Sequence, residues 1–281
     1  MIKNQGKLLT VLPQDRRNYF HLSVSKAKTF KQCKAKYLFN YIKKLPKKEW
    51  EFQVFGKFLH ECLEKFEKAI IAGNKEKYHI LMKAIFANAL KNWPQITQEQ
   101  KKEAFDILCS YLKKRITYNY VPIAAEKEFT IDIGDNVLLN GFIDLVKLDA
   151  DGVLHLDDYK TSKTGLYLKK DYLQLQTYAY AMCLEDPKLE KVRGSYIMLK
   201  LDFEEIKFEF SRENVMSIEQ DFRDYTAEIA AEKLFRPDTG PLCPYCDYSE
   251  HCPDGLKWIK QAEERKNKKS GTSKKFGETE W

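Results

Sequence analysis

The clearest pattern of hydrophobic and polar positions lies between residues 137 and 160, where two apolar runs flank an acidic turn. The runs cover residues 137–148 and 153–160, and their nearly continuous apolar character is typical of strands inside a sheet. Between them, residues 149–152 read Asp-Ala-Asp-Gly, a composition that turns prefer. The pattern therefore predicts a β-hairpin in the middle of the chain.

Elsewhere the spacing of apolar residues predicts helices on both sides of this hairpin and further strands next to it. The predicted helices are 25–44, 52–72, 75–92, 97–120, 171–185 and 212–234. The further strands are 123–133, 192–201 and 206–210, and the turn before the hairpin is Gly134-Asp135-Asn136. Residues 1–22 show no regular pattern, and the helices over about 75–120 are interpreted as a helical insertion or cover.

Among the charged residues of the apolar hairpin, three stand out: Asp144, Asp158 and Lys160. A charge in a buried strand costs several kcal/mol unless it is paired or binds a metal ion. The hairpin folds Asp144 back towards Asp158, and a divalent cation relieves the repulsion between two such carboxylates. Lys160 shares a strand face with Asp158 and points at whatever the metal binds, for which a phosphate is the natural partner.

A polar stripe in the helix predicted over 52–72 adds a candidate metal ligand. Gly56, His60 and Glu64 follow one another at intervals of four and lie on one helix face. Glycine permits close approach of another segment, and a neutral histidine can donate an imidazole nitrogen to a metal. Glu64 could hold the histidine or shape the site.

These motifs resemble the PD-(D/E)xK nuclease superfamily, specifically its RecB-like branch. The letters GFID at 141–144 and DYK at 158–160 match G-x-[IV]-D and D-x-K, and residues 56–64 match G-x-x-x-H-x-x-x-E. The resemblance covers about residues 23–253 apart from the middle helices. It implies one nuclease domain over 23–255, of α/β class, with a restriction-endonuclease-like core in which a mixed central β-sheet is flanked by helices.

The resemblance also implies roles for individual residues. His60, Asp144 and Asp158, with the carbonyl group of Tyr159, would hold Mg²⁺ or Mn²⁺, and Lys160 would orient or activate the attacking water. The implied activity is that of a DNA exonuclease acting on single-stranded ends in DNA replication, recombination or repair.

Two further features are similar to elements of this branch. Gln174 and Tyr178 match Q-x-x-x-Y and would contact the DNA backbone or orient the catalytic lysine. A strand that precedes G-x-[IV]-D often carries a glutamate near the active site in this branch. Glu126 and Glu128 both qualify, and we favour Glu128, with an exposed edge-strand glutamate as the alternative.

Four of the seven cysteines form a constellation typical of a soft-metal site. Cys243, Cys246 and Cys252 are spaced C-x2-C-x5-C, and Cys33 upstream is the best fourth ligand. This arrangement resembles the iron–sulfur members of the superfamily, which include AddB-type, Dna2-type and CRISPR-associated RecB-like exonucleases. It implies a [4Fe–4S] cluster that staples the N- and C-terminal segments together, and Zn²⁺ on the same cysteines is the alternative.

Composition adds expectations about partners and compartment. The net charge of +7 is a modest excess, and part of it lies in residues 256–281, which we expect to be a flexible basic tail that assists DNA binding. No apolar run is long enough to span a membrane and the first residues lack a secretory signal, so we expect a cytoplasmic protein (in the host cytoplasm if phage-encoded).

The sequence contains no G-x-x-x-x-G-K-[ST] motif, the signature of a P-loop motor. We therefore expect a nuclease that acts alone or serves a separate helicase or recombination partner. The alternative function is a non-catalytic iron–sulfur DNA-binding or scaffold subunit of a larger recombination or CRISPR-adaptation complex.

Overall fold

The computed structural model describes residues 7–8, 19–118 and 120–273, and side chains over 19–118 and 120–267. Its strands are β1 (Lys7–Leu8), β2 (Phe20–Leu22), β3 (Val121–Asp132), β4 (Val137–Leu148), β5 (Leu154–Lys160), β6 (Lys191–Met198) and β7 (Glu204–Ser211). Its α-helices are α1 (Val24–Gln32), α2 (Lys34–Tyr37), α3 (Glu51–Ile71), α4 (Tyr78–Asn92), α5 (Gln98–Thr117), α6 (Leu173–Glu185), α7 (Arg212–Met216), α8 (Ile218–Ala231) and α9 (Pro253–Ser273). None of the helices in these ranges is long and apolar enough to cross a membrane.

The described chain divides into two compact units, one made of residues up to 24 and 50–226, the other of 25–49 and 227–273. The first unit contains one sheet in the order β1-β3-β4-β5-β6-β7, with β2 paired to β4. The pairs β3–β4, β4–β5 and β6–β7 are antiparallel, whereas β5–β6 is parallel. The prediction of a mixed central sheet flanked by helices is therefore confirmed.

The expectation that residues 1–22 are irregular is wrong for the part that the structure describes. Lys7 and Leu8 pair antiparallel with β3, and residues 20–22 pair parallel with β4. Leu22 is fully buried. Strands of two or three residues are too short to show a hydrophobic period, so the sequence pattern could not reveal them. Residues 1–6 and 9–18, which also belong to the stretch expected to be irregular, lie outside the described residues.

The helices α3, α4 and α5 pack into one hydrophobic core with the sheet. Phe58 and Phe66 of α3, Leu108 of α5, Leu145 of β4 and Tyr159 of β5 are all buried in it. The two helices predicted over 75–92 and 97–120 are confirmed as α4 and α5. A capping box formed by Thr97 and Gln100 marks the start of α5. Their interpretation as an insertion stays a prediction.

Successive residues of β5 point to opposite faces of the sheet. Tyr159 joins the core made with α3 and α5, while the hydroxyl of Tyr178 on α6 reaches Asp158. The two faces of this one strand therefore serve packing and chemistry separately.

In the second unit, the predicted single helix over 25–44 is interrupted. Cys33 has extended backbone angles (φ −164°, ψ 111°) between α1 and α2, and its sulfur accepts a hydrogen bond from the N–H of Lys36 at 3.5 Å. The side chain thus takes the role of an N-cap, which helical periodicity alone does not reveal.

The tail expected to be flexible is helical over Pro253–Ser273, as α9. Its first residue is a proline, which suits the start of a helix, and its body is rich in Lys and Glu, which favour helix. Residues 274–281 lie outside the described range. The helix predicted over 212–234 is also corrected, because it is divided into α7 and α8 at Ser217.

Candidate active site

The two strands of the central hairpin separate where their acidic residues meet. Backbone pairing between β4 and β5 ends at Leu145 and Asp157. One residue further, the carboxylate of Asp144 accepts a hydrogen bond from the N–H of Tyr159 at 2.7 Å. The side chain thus satisfies a backbone donor that the ladder leaves unpaired, and this places Asp144 beside Asp158.

Asp158, Lys160, Gln174 and Tyr178 form a closed ring of polar contacts. The ammonium group of Lys160 pairs with Asp158 and donates to Gln174 Oε1 at 3.1 Å. Gln174 Nε2 donates to the Tyr178 hydroxyl at 2.7 Å, and that hydroxyl donates to Asp158 Oδ1 at 3.1 Å. Since Gln174 and Tyr178 lie on α6, this helix fixes the orientation of the Asp158 and Lys160 side chains of β5.

Burial and charge shift the pKa values of this ring in a way that a cation would relieve. Burial raises the pKa of Asp158, the Lys160 ammonium opposes the shift, and the nearby Asp144 carboxylate adds to it. Burial alone would lower the pKa of Lys160, but Asp158 and Asp144 outweigh it and raise that pKa. The lysine is therefore held in its charged form beside carboxylates that repel each other.

His60 of α3 reaches the same point from the helical side. Its Nδ1 lies 3.5 Å from Asp144 Oδ2, and its Nε2 lies 3.1 Å from the carbonyl oxygen of Tyr159. Burial lowers its pKa, but the negative charges of Asp144, Asp158 and Glu126 raise it to about 9. Gly56, one turn earlier, allows the approach: a Cβ there would lie 3.0 Å from the hydroxyl oxygen of Thr161.

The strand glutamate in this site is Glu126, not the favoured Glu128. Ligand atoms of His60, Glu126 and Asp144 all lie within 4.8 Å of one another, whereas Glu128 is exposed. Burial and the charge of Asp144 raise the pKa of Glu126 to about 7.

The sequence did contain a signal for this choice. Ile133 and Val137 pair across the predicted turn, and Ala125 pairs with Leu145 in the same register. Counting back from the turn therefore places Glu126 opposite Asp144. The backbone of Glu126 is unusual for glutamate, with φ at +50°, which the sequence does not reveal.

These residues fit a hard divalent cation. The donor set comprises the carboxylates of Glu126 and Asp144 and the imidazole of His60, whose ligand atoms lie within 4.8 Å of one another. The carbonyl group of Tyr159 and the carboxylate of Asp158 adjoin them. Carboxylate and carbonyl oxygens suit Mg²⁺ and Mn²⁺, and an imidazole nitrogen is accepted more readily by a transition-metal ion than by Mg²⁺. A cation here would also offset the carboxylate repulsion that raises the pKa of Glu126 and Asp158.

The comparison with known proteins decides the family. The profile of the PD-(D/E)XK nuclease superfamily matches residues 21–253, well over half of the chain. This chain belongs to the PD-(D/E)XK nuclease superfamily. Asp144, Asp158 and Lys160 lie within the matched range.

Two relatives illustrate the likeness of this PD-(D/E)XK protein. One of the subunits of an ATP-dependent helicase/deoxyribonuclease from Clostridium perfringens is 26% identical over 210 residues, which are 60% of this chain and 18% of that relative. The chain therefore spans less than a fifth of the length of this curated relative. A Eubacterium rectale crystal structure described as a candidate exonuclease is 14% identical and has a TM-score of 0.52, covering 86% of this chain and 94% of that one. That likeness concerns the fold alone.

The four cysteines of this PD-(D/E)XK protein line one small cavity of the second unit. Backbone N–H groups of Lys36, Gly240 and Gly255 donate to the sulfur atoms of Cys33, Cys243 and Cys252 at 3.3–3.5 Å. Burial raises the pKa of Cys246, and the backbone N–H of Tyr248 opposes the shift. Three of the four sulfurs therefore accept a backbone hydrogen bond, as suits a thiolate.

Proposed function

We propose that this protein is a Mg²⁺- or Mn²⁺-dependent deoxyribonuclease that removes nucleotides from single-stranded DNA ends. The observation that carries the proposal is the closed ring of Asp158, Lys160, Gln174 and Tyr178 beside the donors of His60, Glu126 and Asp144. Here a partly buried, oriented ammonium group lies next to a set of cation ligands, which is the combination that phosphodiester hydrolysis needs.

The mechanism assigns the ligand role to His60, Asp144, Asp158 and the Tyr159 carbonyl, with Glu126 added. A divalent ion bound there would lower the pKa of a coordinated water and stabilise negative charge on the phosphate. Lys160 places its positive charge where the scissile phosphate gains negative charge, and it orients the attacking water. Gln174 and Tyr178 keep Lys160 and Asp158 in that geometry, so they act as positioning residues.

The substrate assignment rests on the family and on the relatives. The superfamily comprises nucleases, and the Clostridium perfringens relative carries deoxyribonuclease in its name. The same name couples that activity to an ATP-dependent helicase. We infer that this chain works with a separate helicase or recombination partner in DNA repair or recombination.

The experiment uses full-length protein purified without oxygen. Linear single-stranded DNA labelled at either end, circular single-stranded DNA, duplex DNA and single-stranded RNA are each incubated with Mn²⁺, Mg²⁺ or chelator. We expect metal-dependent shortening of linear single-stranded DNA from one end and none of the circle. Cleavage of the circle would overturn the exonuclease assignment, and DNA binding without any cleavage would favour the scaffold alternative.

We further propose that Cys33, Cys243, Cys246 and Cys252 hold a [4Fe–4S] cluster. The order of the cysteines along the chain, one upstream and three downstream spaced C-x2-C-x5-C, supports the cluster, and Zn²⁺ on the same cysteines is the alternative. The N–H···S hydrogen bonds to Cys33, Cys243 and Cys252 support thiolate ligands for either metal.

A further inference from the structure

A second cluster of side chains that could bind a metal ion lies in the first unit, away from the proposed metal ligands of the nuclease site. His155 and Asp157 project from β5, Ser195 from β6 and Glu205 from β7. His155, Asp157 and Ser195 are almost completely buried, at 3%, 3% and 0% exposed. Because neighbours on β5 point to opposite faces, Asp157 faces away from the side that carries Asp158. Nothing in the proposed nuclease chemistry uses these four residues.

Their polar atoms converge on one point. His155 Nε2 lies 2.7 Å from Ser195 Oγ, 3.4 Å from Asp157 Oδ1 and 3.5 Å from Glu205 Oε1. Ser195 Oγ lies 2.8 Å from Glu205 Oε1. Ligands at about 2.0–2.1 Å in a tetrahedral site are about 3.3 Å apart. The contacts of His155 with Asp157 and Glu205, at 3.4 and 3.5 Å, have this size. The 2.7 and 2.8 Å contacts of Ser195 are hydrogen bonds, which a bound ion would replace.

His155, Asp157 and Glu205 each have a second polar atom that faces away from this point, and each of these three atoms contacts a partner of its own. His155 Nδ1 lies 2.9 Å from Asp149 Oδ2. Lys147 donates to Asp157 Oδ2, and Lys207 pairs with Glu205 Oε2 at 2.8 Å. Histidines that bind metals commonly donate their other ring N–H to a carboxylate, and ligating carboxylates are hydrogen-bonded in the same manner. The inward atoms Nε2, Oδ1 and Oε1 are thereby oriented towards each other.

One buried atom of the cluster lacks a hydrogen bond. Asp157 Oδ1 has no hydrogen-bond partner among the described residues, and its contact with His155 at 3.4 Å does not have hydrogen-bond geometry. An unsatisfied buried carboxylate oxygen costs free energy, and a cation at this point would satisfy it. The atom also faces the point where the other ligands meet.

We propose that His155, Asp157 and Glu205 bind a divalent transition-metal ion such as Mn²⁺ or Zn²⁺, with Ser195 Oγ as the fourth ligand. The ion would join β5, β6 and β7 at one place. Because Asp157 directly precedes Asp158, it would stabilise the strand that presents the nuclease residues. The cluster also borders a cavity of about 420 Å³, which gives the ion an access route.

The test counts Mn²⁺ bound to full-length, metal-stripped protein by equilibrium dialysis and elemental analysis. Mn²⁺ is the probe because thiolates bind this hard ion poorly. The variants are Glu205→Gln and, as a control on the same strand, the exposed Glu209→Gln. We expect Glu205→Gln to bind one Mn²⁺ fewer than wild-type protein and to lose part of the Mn²⁺-dependent rise in Tm, whereas Glu209→Gln behaves as wild type. Equal binding by Glu205→Gln and wild type would overturn the proposal.

A second measurement keeps the proposal testable if Glu205→Gln does not fold. The double variant His60→Gln/Asp144→Asn removes ligands of the nuclease site and leaves the new cluster intact. We expect it to retain one Mn²⁺ whose pulsed electron paramagnetic resonance spectrum shows coupling to an imidazole nitrogen. If this folded variant bound no Mn²⁺, the cluster would be held together by hydrogen bonds alone and the proposal would be wrong. Nuclease activity is not a readout here, so failure of the proposed function would not affect the result.

Discussion

At the scale of single residues, Tyr159 connects packing with chemistry. Its N–H donates to Asp144, its carbonyl lies against His60, and its ring is buried in the helical core. Core packing therefore fixes the backbone atoms around which the acidic residues are arranged. A change in the packing of this ring would move two backbone contacts of the nuclease site together.

The structure places Glu126 in the nuclease site instead of the favoured Glu128, and this difference leads to a prediction at the scale of single residues. Glu126→Gln removes a carboxylate from the donor set, so we expect Mn²⁺ affinity of the nuclease site and activity to fall by about 10- to 100-fold. Glu128→Gln changes an exposed side chain on the same strand and should leave both unchanged. Isothermal titration with Mn²⁺ and the nuclease assay measure the two effects. The reverse order of sensitivity would restore Glu128 as the site residue.

The sequence predicted most of the residues that the structure brings together. His60, Asp144, Asp158, Lys160, Gln174 and Tyr178 lie in one site, as their motifs indicated. The choice of Glu128 was wrong although the register of the predicted turn places Glu126 opposite Asp144, and the positive φ of Glu126 is a property of the folded strand that the sequence does not reveal. The roles of all these residues remain proposals.

At the scale of elements, the hairpin depends on the close approach of a ring to a glycine. A Cβ at Gly141 would lie 2.7 Å from the ring of Phe129, and that ring contacts Tyr178 with centroids 6.1 Å apart. The glycine of G-x-[IV]-D thus lets β3 and β4 pack beneath α6. Helical patterns were less informative, because the break at Cys33 follows from local capping and extended backbone angles.

We predict that Gly141→Ala lowers the free energy of unfolding by about 1–3 kcal/mol, since the ring of Phe129 must move. Chemical denaturation measures the effect. Gly240→Ala is the control, because no atom lies within 4 Å of its Cβ position. Adding Phe129→Leu should recover part of the loss if the clash is its cause. A fully stable Gly141→Ala variant would show that this close approach is unimportant.

At the scale of the whole molecule, the second unit is assembled from two segments that are distant in the sequence. Residues 25–49 and 227–273 carry one and three of the four cysteines. Ion pairs of Lys31 with Glu228 and of Lys34 with Glu232 also join these segments. Closing a loop of this length is entropically costly, so a covalent cluster there would stabilise the unit. The sequence predicted that these four cysteines come together, but it did not predict the helix α9 that follows the last of them.

We therefore predict that Cys33→Ser protein purified without oxygen loses its iron, its acid-labile sulfide and its brown colour. A cross-link over a loop of this length contributes on the order of 5 kcal/mol in the chain-entropy model, so Tm should also fall. Cys109→Ser is the matched control, because Cys109 lies on α5 outside the second unit. Colourless wild-type protein with stoichiometric zinc would show that Zn²⁺ occupies the site.

The central claim is that the site around Lys160 hydrolyses phosphodiester bonds in DNA. The most direct test is single-turnover cleavage of end-labelled single-stranded DNA with Mn²⁺ by wild type, Lys160→Ala and the exposed-lysine control Lys188→Ala. We predict chelator-sensitive cleavage by wild type and Lys188→Ala, and a rate lower by about 10²- to 10³-fold in folded Lys160→Ala. Cleavage by Lys160→Ala at the wild-type rate would contradict the account.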